Sequence, residues 1–492
     1  MFLKNNKKSI ISGNYKLVIC VSIILGILFY SWLSNLSIVS IKDAIFSLYL
    51  RSSGAKLETL YLDIKHKDLQ KLNYKCKKTL APQNKGLMSI LFSEPNDFVK
   101  AKIRYFNKSY PVKLRLKGDL ADHLSEKRSF RVKLRKDNIL FGLKKFSLHS
   151  PAARSYLYEA FYHYLLKREG LVSLKYFFVN VVVNGENLGV YALEEHFDKI
   201  LIESNHYKEG PIIKIDENIK WVEHWKEELS KVDSSSLKPV TNIDYFLRKV
   251  SGVTAFELNK IKRNPVQYKY FINAKNLFNS FREGQLSTSQ VFDQKKLARF
   301  LAVSQITGAL HGLYNYNFRF YFNPVTKKLE PIGFDGTAGN FKTAKEILVC
   351  SEVSLKYLFF QDKVFFNIYK QELSRILDPN YLTTMLEDFQ KSKKLNLKGD
   401  FFYELKPDLK LHSYFFSKGY LKYHQKKLLD FYENNKIYFD NSNERLLKFS
   451  LSKYNKKETK LAIKIKKLRY SLKELIKAVL SLGFLIISYF RI

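Results

Sequence analysis

The stretch HGLYNYNFRFYFNPVTKKLEPIGFDGTAG, residues 311–339, carries the strongest structural signal in this chain. Two strand-like runs flank a turn at Asn323-Pro324, which predicts a β-hairpin with Asn317 before one strand and Asp335 after the other. Because a hairpin brings its two ends together, we expect these two side chains to meet at the open end of the hairpin. An amide oxygen and a carboxylate at one point suit a hard cation such as Mg²⁺, which usually also takes phosphate oxygens. A structural hairpin with a buried aspartate fits the same residues.

The chain is long and strongly basic. It has 492 residues, a net charge of +38 and 46% hydrophobic residues, which is enough for a large catalytic domain with a substantial core. The charge first suggests a nucleic-acid partner. However, lysine is spread along the whole chain and no zinc-finger or ribonucleoprotein motif accompanies it, so no specific nucleic-acid partner is predicted. A basic surface still favours anionic membranes or acidic polymers. The cysteines at positions 20, 76 and 350 have no metal-binding spacing, and unpaired thiols are expected.

An uncharged run near the N-terminus predicts a membrane anchor. Residues 17–36 carry no charge over 20 positions, and residues 1–16 contain four lysines and no acidic residue. The positive-inside rule then leaves residues 1–16 in the cytoplasm and the main domain outside, behind an uncleaved single-pass anchor. The apolar run at 478–490 is short for a second span. Residues 441–492 therefore fit either a basic amphipathic segment on the membrane or a solvated tail ending in a core helix.

Period-two patterns dominate the chain before residue 200. The segments 101–106, 110–118 and 128–136 alternate apolar and basic residues, which predicts three antiparallel strands with one basic face. Helical spacing follows at 155–170, and an Asn-Gly turn inside 176–197 predicts a second hairpin. These elements indicate an α+β fold.

The remaining segments complete the predicted domain. Residues 204–290 are mixed and polar and form an insert, and Asp293 is the expected N-cap of a long helix that runs toward His311. Residues 350–440 are expected to be mostly helical. The main domain is thus predicted at 55–440, and its order of elements is that of protein kinases, although no glycine-rich loop sequence and no His-Arg-Asp are present.

Four segments together resemble a known family. They are KLRLKGD, RSFRVKL, VVVNGENLGVYALEEHFDK and NFRFYFNPVTKKLEPIGFDG, which lie between about Ile103 and Leu377. In this order they resemble the CotH family of atypical, kinase-like proteins, which is named for a bacterial spore-coat protein. The resemblance implies an atypical protein-kinase-like fold of two lobes that binds ATP with Mg²⁺ or Mn²⁺. It also implies phosphoryl transfer to Ser or Thr hydroxyls, or to another protein or glycan acceptor in the cell envelope.

The resemblance also implies roles for residues that bind the nucleotide. Lys133 resembles the strand lysine that holds nucleotide phosphates, and Lys117 on the preceding strand is the alternative. Glu159, on the next predicted helix, is placed to pair with Lys133. Glu194 and Glu195 follow the second strand of the Asn-Gly hairpin, where a kinase hinge lies.

The catalytic residues depart from the family pattern at one position. Asn317 and Asp335 resemble the metal ligands, but Gly312 stands where family members of the spore-coat type carry an Asp that orients the acceptor hydroxyl. His311 is the candidate replacement, because a neutral imidazole serves as a general base. A structural histidine at a helix end is the competing interpretation.

Two further functions compete with the kinase hypothesis. The missing Asp and the predicted extracytoplasmic location, where ATP is scarce, favour a catalytically degenerate scaffold or envelope protein that keeps the fold. A nucleic-acid-binding protein comes third, because only the net charge supports it. The sequence leaves the acceptor open.

Overall fold

A computed structural model describes residues 46–47, 57–82, 87–124, 127–231, 247–339 and 354–393. The described residues form a mixed fold of helices and sheets, as the α+β prediction expects. The predicted anchor at 17–36 and the tail at 441–492 lie outside them. Among the residues that the structure describes, no helix has the length and apolar character that a membrane span requires.

Seven strands close into a barrel. They are β1 (Glu58–Ile64), β2 (Val99–Tyr105), β3 (Lys108–Leu116), β4 (Phe130–Leu134), β5 (Lys145–His149), β6 (Tyr176–Val183) and β7 (Glu186–Glu195). Their order around the barrel is β1-β2-β3-β4-β5-β7-β6, and the parallel pairing of β1 with β6 closes it. The other neighbouring strands pair antiparallel.

Side chains alternate in direction along each strand, so that apolar side chains fill the barrel and polar ones cover its outer surface. On β3, Val112, Leu114 and Leu116 are buried, while Lys113 and Arg115 between them point the other way. The inward side chains of all seven strands form one hydrophobic core. The predicted basic face is therefore the outer surface of the barrel, and part of that surface carries the candidate site.

A second sheet has four strands in the order β11-β10-β8-β9. Its members are β8 (Ile212–Ile215), β9 (Val253–Ala255), β10 (Arg319–Asn323) and β11 (Lys328–Ile332). The β10–β11 hairpin is the one predicted from the sequence, and its turn is held by the Asn323 side chain, whose Oδ1 accepts a hydrogen bond from the Val325 N–H at 2.9 Å. The range 204–290, predicted as an insert, supplies β8 and β9, and β8 pairs directly with β10.

The described helices are α1 (His66–Leu80), α2 (Leu157–Arg168), α3 (Lys199–Ser204), α4 (Asn218–Ser230), α5 (Leu258–Ile261), α6 (Pro265–Arg282), α7 (Thr288–Val291), α8 (Gln294–Ile306), α9 (Leu355–Phe360), α10 (Lys363–Ile376) and α11 (Pro379–Lys393). Asp293 caps α8 as predicted, because its Oδ1 accepts from the Lys296 N–H at 3.0 Å. Helices α2, α6, α8 and α10 bury their apolar sides with the second sheet in a core separate from the barrel core. Helix α8 leads the chain to the candidate site.

Most local predictions agree with the structure. The segments 101–106 and 110–118 overlap the antiparallel strands β2 and β3, each of which begins two residues earlier, 128–136 contains β4, and 155–170 contains α2. The hairpin in 176–197 turns at Asn184-Gly185 between β6 and β7. The sequence did not predict the parallel closure by β1 or the two strands in 204–290, because both depend on contacts between distant segments.

Candidate functional site

A row of polar side chains crosses the outer face of the barrel. Backbone pairing aligns Arg115 with Arg131, Arg131 with Ser147, and Ser147 with Glu194. Residues paired in register point to the same face of a sheet, so these four side chains share the face opposite the barrel core. Lys117 lies two residues beyond Arg115 and belongs to the same face. The outer surface at this end of β3 and β4 is therefore the place where charged groups converge.

Lys117 and Glu194 form a buried ion pair on this face. Lys117 Nζ lies 3.3 Å from Glu194 Oε2, and the two side chains are 6% and 1% exposed. Burial lowers the pKa of Lys117 to about 8 although Glu194 opposes the shift. The pKa of Glu194 falls to about 2, because Lys117 and Arg154 outweigh the effect of burial. The pair holds a lysine ammonium in a dry, positive environment.

Lys133 lies elsewhere on the same barrel. The Lys117 N–H donates to the carbonyl oxygen of Ser129, and Lys133 is four residues farther along β4, which is about 13 Å at the rise of an extended strand. Lys133 pairs in register with Lys113 and Lys145, and its side chain is exposed. Of the two candidate lysines, the structure thus brings Lys117 into the cluster and leaves Lys133 outside it.

Glu159 has a different role from the one predicted. The structure does not bring Glu159 and Lys133 together. Instead the buried Glu159 carboxylate accepts hydrogen bonds from the backbone N–H of Gly336 at 2.9 Å and of Ala338 at 3.2 Å. Helix α2 therefore uses Glu159 to fix the loop that follows β11. That loop contains Asp335, so Glu159 acts on the site through the backbone.

Arg154 and Asp335 form a second buried ion pair. Arg154 ends a short 3₁₀ turn, Pro151–Arg154, between β5 and α2, and its Nη1 lies 2.9 Å from Asp335 Oδ1. The side chains are 7% and 13% exposed. The positive charge of Arg154 and the hydrogen bond from His311 hold the pKa of Asp335 far below its usual range in spite of burial. Asp335 itself has φ 51°, a left-handed conformation that is uncommon for a residue with a side chain.

Asn317 and Asp335, which the hairpin was predicted to bring together, both lie beside His311. His311 Nδ1 lies 3.1 Å from Asp335 Oδ1 and 3.0 Å from its carbonyl oxygen. The Asn317 Nδ2 group donates to the His311 carbonyl oxygen at 2.9 Å and lies 3.2 Å from His311 Nδ1. Burial lowers the pKa of His311, but the hydrogen bond and negative charge of Asp335 outweigh it, so that the pKa is raised. The His311 side chain is 35% exposed, which leaves part of the ring accessible.

Gly312 is required by the close approach of two loops. A Cβ at this position would lie 2.8 Å from the Phe334 carbonyl oxygen and 3.4 Å from the Gly336 Cα, and neither backbone atom can rotate away. An aspartate at position 312 does not fit this arrangement without a backbone shift. Glycine at position 312 therefore lets residues 311–313 pack directly against the Asp335 loop.

Glu194 and Glu195 are neighbours on β7, but their carboxylates have different partners. Glu194 pairs with Lys117, whereas Glu195 Oε2 accepts a hydrogen bond from the Lys175 N–H at 2.9 Å. Burial raises the pKa of Glu195 to about 7. Glu194 therefore belongs to the charged cluster, and Glu195 holds the backbone of Lys175, the residue just before β6.

The described residues do not fit a divalent cation at Asp335. Among them, no group of three or more His, Cys, Asp and Glu side chains is arranged to hold a metal ion. Asn317 and Asp335, the predicted ligands, are close, but the Asp335 carboxylate already faces Arg154 and His311. A divalent ion next to this carboxylate would have the Arg154 guanidinium as a like-charged neighbour.

Sequence reasoning missed three residues of the cluster: the buried His149 and Arg154 and the half-buried Arg131. Arg131 is in the same alternating pattern as Lys133, and burial lowers its pKa to about 10. His149 is fully buried beside Glu194, with 4.0 Å between Nε2 and Oε2, and burial lowers its pKa to about 3. His149 could have been identified from the sequence, because it is a polar residue at the end of a strand. Arg154 lies in an irregular turn, where no periodic pattern marks it.

Comparison with protein families gives one match. The family model described as CotH kinase protein matches residues 114–438, which is most of the chain and includes every residue of the charged cluster from Lys117 to Asp335. No curated protein sequence gives a significant match to the chain.

Proposed function

This chain belongs to the CotH kinase family, and we propose that it transfers the terminal phosphoryl group of ATP to a hydroxyl acceptor. One observation carries the proposal. Two buried ion pairs, Lys117–Glu194 and Arg154–Asp335, converge beside His311, whose ring is partly exposed. A kinase-like fold of two lobes is part of the same proposal. The barrel would form one lobe and the helical part with the second sheet the other.

The cations of the cluster suit a polyphosphate. Lys117 and Arg154 each have one carboxylate partner, and the half-buried Arg131 adds a third positive charge on the barrel face of Lys117. Phosphoryl transfer depends mainly on positioning and on neutralising charge around the phosphates, which such groups supply. Charged hydrogen bonds from Lys and Arg are also stronger than neutral ones in a dry site. We therefore assign Lys117, Arg131 and Arg154 to the phosphates of ATP, and Glu194 to the orientation of Lys117.

His311 is the proposed general base. We assign its proton to Nδ1, which lies 3.0 Å from the Asp335 carbonyl oxygen and 3.1 Å from the carboxylate, so that the lone pair of Nε2 is available for the acceptor, as in other His-Asp pairs. Nε2 takes the proton of the acceptor hydroxyl while its oxygen attacks the γ-phosphorus. The bond from that phosphorus to the β–γ bridging oxygen breaks, and ADP leaves with the electron pair. Asp335 stabilises the imidazolium that forms.

ATP, with Mg²⁺ or Mn²⁺ as its counter-ion in solution, is the proposed cosubstrate. The family generally implies a nucleotide and a metal. Because Asp335 already faces the Arg154 guanidinium and the His311 ring, no step of the proposed reaction passes through a metal at this residue. The joint role of Asn317 and Asp335 as metal ligands stays a prediction from the resemblance.

The proposed acceptor is a Ser or Thr hydroxyl of a protein, or a glycan hydroxyl, in the cell envelope. This part of the proposal rests on the uncharged run at 17–36 and the lysines before it, which predict a single-pass anchor and an extracytoplasmic domain. ATP is scarce in that location, so the source of nucleotide is part of what an experiment must establish.

A nucleotide-binding scaffold without transfer is the second candidate function. The observation that favours it is the tight packing of Gly312 against Phe334, which leaves no room for the acidic residue that orients the acceptor in spore-coat members of the family. Under this alternative, His311 holds the loop that carries Asp335 and receives no proton.

The His311→Gln variant separates the two functions. Kinase activity predicts nearly unchanged ATP affinity by calorimetry and a loss of phosphoryl transfer of about 10²- to 10⁴-fold, because a general base touches the acceptor and not the nucleotide. Transfer is measured as label moved from γ-labelled ATP to an envelope extract, with His66→Gln, an exposed residue of α1, as the control. ATP binding by the wild type with no transfer at any pH would favour the scaffold.

A further inference from the structure

The buried Arg154 guanidinium occupies the place beside Asp335 where a kinase-like site would hold a divalent cation. We propose that Arg154 is a resident cation that substitutes for this metal, so that ATP binds to the cluster without a metal ion on Asp335. The inference rests on the proposed function for the nucleotide, and it concerns a residue to which neither the sequence nor the family match assigns a role. Four observations support it.

The first observation is contact. Arg154 Nη1 lies 2.9 Å from Asp335 Oδ1, and both side chains are almost completely buried. His311 Nδ1 also lies 3.1 Å from Asp335 Oδ1. A guanidinium and an imidazole ring thus already face the one carboxylate that the family pattern offers to a metal. In a dry site, an added divalent ion would meet the guanidinium at short range with little solvent screening.

The second observation is spare hydrogen-bonding capacity. Arg154 Nε is buried and has no hydrogen-bond partner among the described residues. A guanidinium has five N–H donors in a planar fork, and this fork matches two oxygens of a phosphate. An unpartnered buried donor costs free energy unless a ligand or water satisfies it. Phosphate oxygens of a nucleotide would satisfy it.

The third observation is how the backbone holds Arg154. The two residues after it, Ser155 and Tyr156, both have positive φ angles, 53° and 56°. Consecutive left-handed residues with side chains are unfavourable and persist where the surrounding structure enforces them, often at functional sites. The turn therefore directs Arg154 inward at the start of α2 instead of letting the helix begin one turn earlier.

The fourth observation is the surrounding charge. Lys117 and Arg131 share the barrel face with Glu194, and the described carboxylates near Arg154 are Asp335, Glu194 and Glu159. Glu159 is already bound to two backbone N–H groups, and Glu194 to Lys117. The three cations and three carboxylates balance in charge, but Arg131 forms no ion pair with a carboxylate among the described residues and contacts His196 instead, so its positive charge is left for a phosphate.

Two measurements on the full chain test this inference. In the first, Mn²⁺ is titrated into the protein without nucleotide and bound Mn²⁺ is followed by electron paramagnetic resonance. The wild type should bind no Mn²⁺ at Asp335, whereas Arg154→Met should gain a site that Asp335→Asn removes again. Tight Mn²⁺ binding by the wild type that Asp335→Asn abolishes would overturn the inference.

In the second, ATP affinity is measured by calorimetry in excess EDTA and in excess Mg²⁺. The wild type should bind ATP under both conditions with similar affinity. Arg154→Met should lose at least about tenfold in EDTA, the range of one charged hydrogen bond, and recover part of the loss in Mg²⁺. Arg154→Lys, which keeps the charge, should fall between the two. Wild-type binding that needs Mg²⁺ and does not respond to Arg154→Met would contradict the inference.

The controls keep the two proposals apart. Arg104→Met removes an exposed Arg–Asp pair on the barrel, between Arg104 and Asp63, and should change neither measurement. Thermal unfolding of each variant verifies that it is folded. If Arg154→Met does not fold, the ATP affinity of Arg154→Lys is used in its place. A wild type that binds no ATP under either condition refutes the proposed function, while the Mn²⁺ titration still decides the role of Arg154.

Discussion

Replacement of Gly312 by Ala tests the close packing of residues 311–313 against the Asp335 loop. The added Cβ would lie 2.8 Å from the Phe334 carbonyl oxygen, well inside a normal contact, with the Gly336 backbone at 3.4 Å and 3.7 Å. Because all of these atoms belong to the backbone, the overlap is relieved only by moving the loop. Overpacking of this kind costs about 1–3 kcal/mol, which lowers the folding equilibrium constant about 5- to 150-fold.

The assay is unfolding in urea, followed by tryptophan fluorescence. Gly252→Ala is the matched control, because its added Cβ meets no atom within 4 Å and its backbone is not left-handed. Gly312→Ala should lower the midpoint, Gly312→Asp should lower it further, and Gly252→Ala should leave it unchanged or slightly higher. The loop shift should also disturb Asp335, so Gly312→Asp should not increase phosphoryl transfer. A Gly312→Asp variant that is as stable as the wild type and transfers faster would refute the packing account.

Three further predictions concern the charged cluster and the topology. Lys117→Met should destabilise the protein by about 3–5 kcal/mol in urea, because Glu194 remains buried without its partner, and adding Glu194→Gln should recover most of the loss. ATP affinity measured by calorimetry should fall as pH rises through about 8, because Lys117 loses its charge there, and Lys117→Arg should remove this dependence; an unchanged profile in the variant would exclude Lys117 as its source. Protease added to intact cells or spheroplasts should degrade the main domain, since residues 1–16 are predicted to stay in the cytoplasm; full protection would contradict this topology.

The fold was predictable where the pattern is local. The alternation in 101–136 and the two turns, Asn184-Gly185 and Asn323-Pro324, identify strands and hairpins from neighbouring residues alone. The closure of the barrel was not predictable in this way. It depends on parallel pairing of β1 with β6, segments separated by more than a hundred residues.

The candidate site was predictable only in part for the same reason. A hairpin had to bring Asn317 and Asp335 together, and His311 joined them because it lies just before the hairpin. Lys117 and Lys133 belong to the same alternating pattern, yet Lys117 is buried and Lys133 is exposed. The reason is that other parts of the chain cover only the end of the barrel face where Lys117 lies. Arg154 has no periodic signal at all, and its position depends on a short irregular turn.

The most direct test of the central claim is the affinity for ATP of Lys117→Met compared with Lys133→Met. Both changes keep an aliphatic side chain and remove one charge from neighbouring strands of the barrel, so that only their positions differ. The measurement is calorimetry at a temperature where circular dichroism shows both variants folded. We expect Lys117→Met to weaken ATP binding at least about tenfold, the range of one lost charged contact, and Lys133→Met to leave it unchanged. Weakened binding in Lys133→Met with normal binding in Lys117→Met would contradict the account, because it would place the phosphates on the exposed end of β4 and not on the buried cluster.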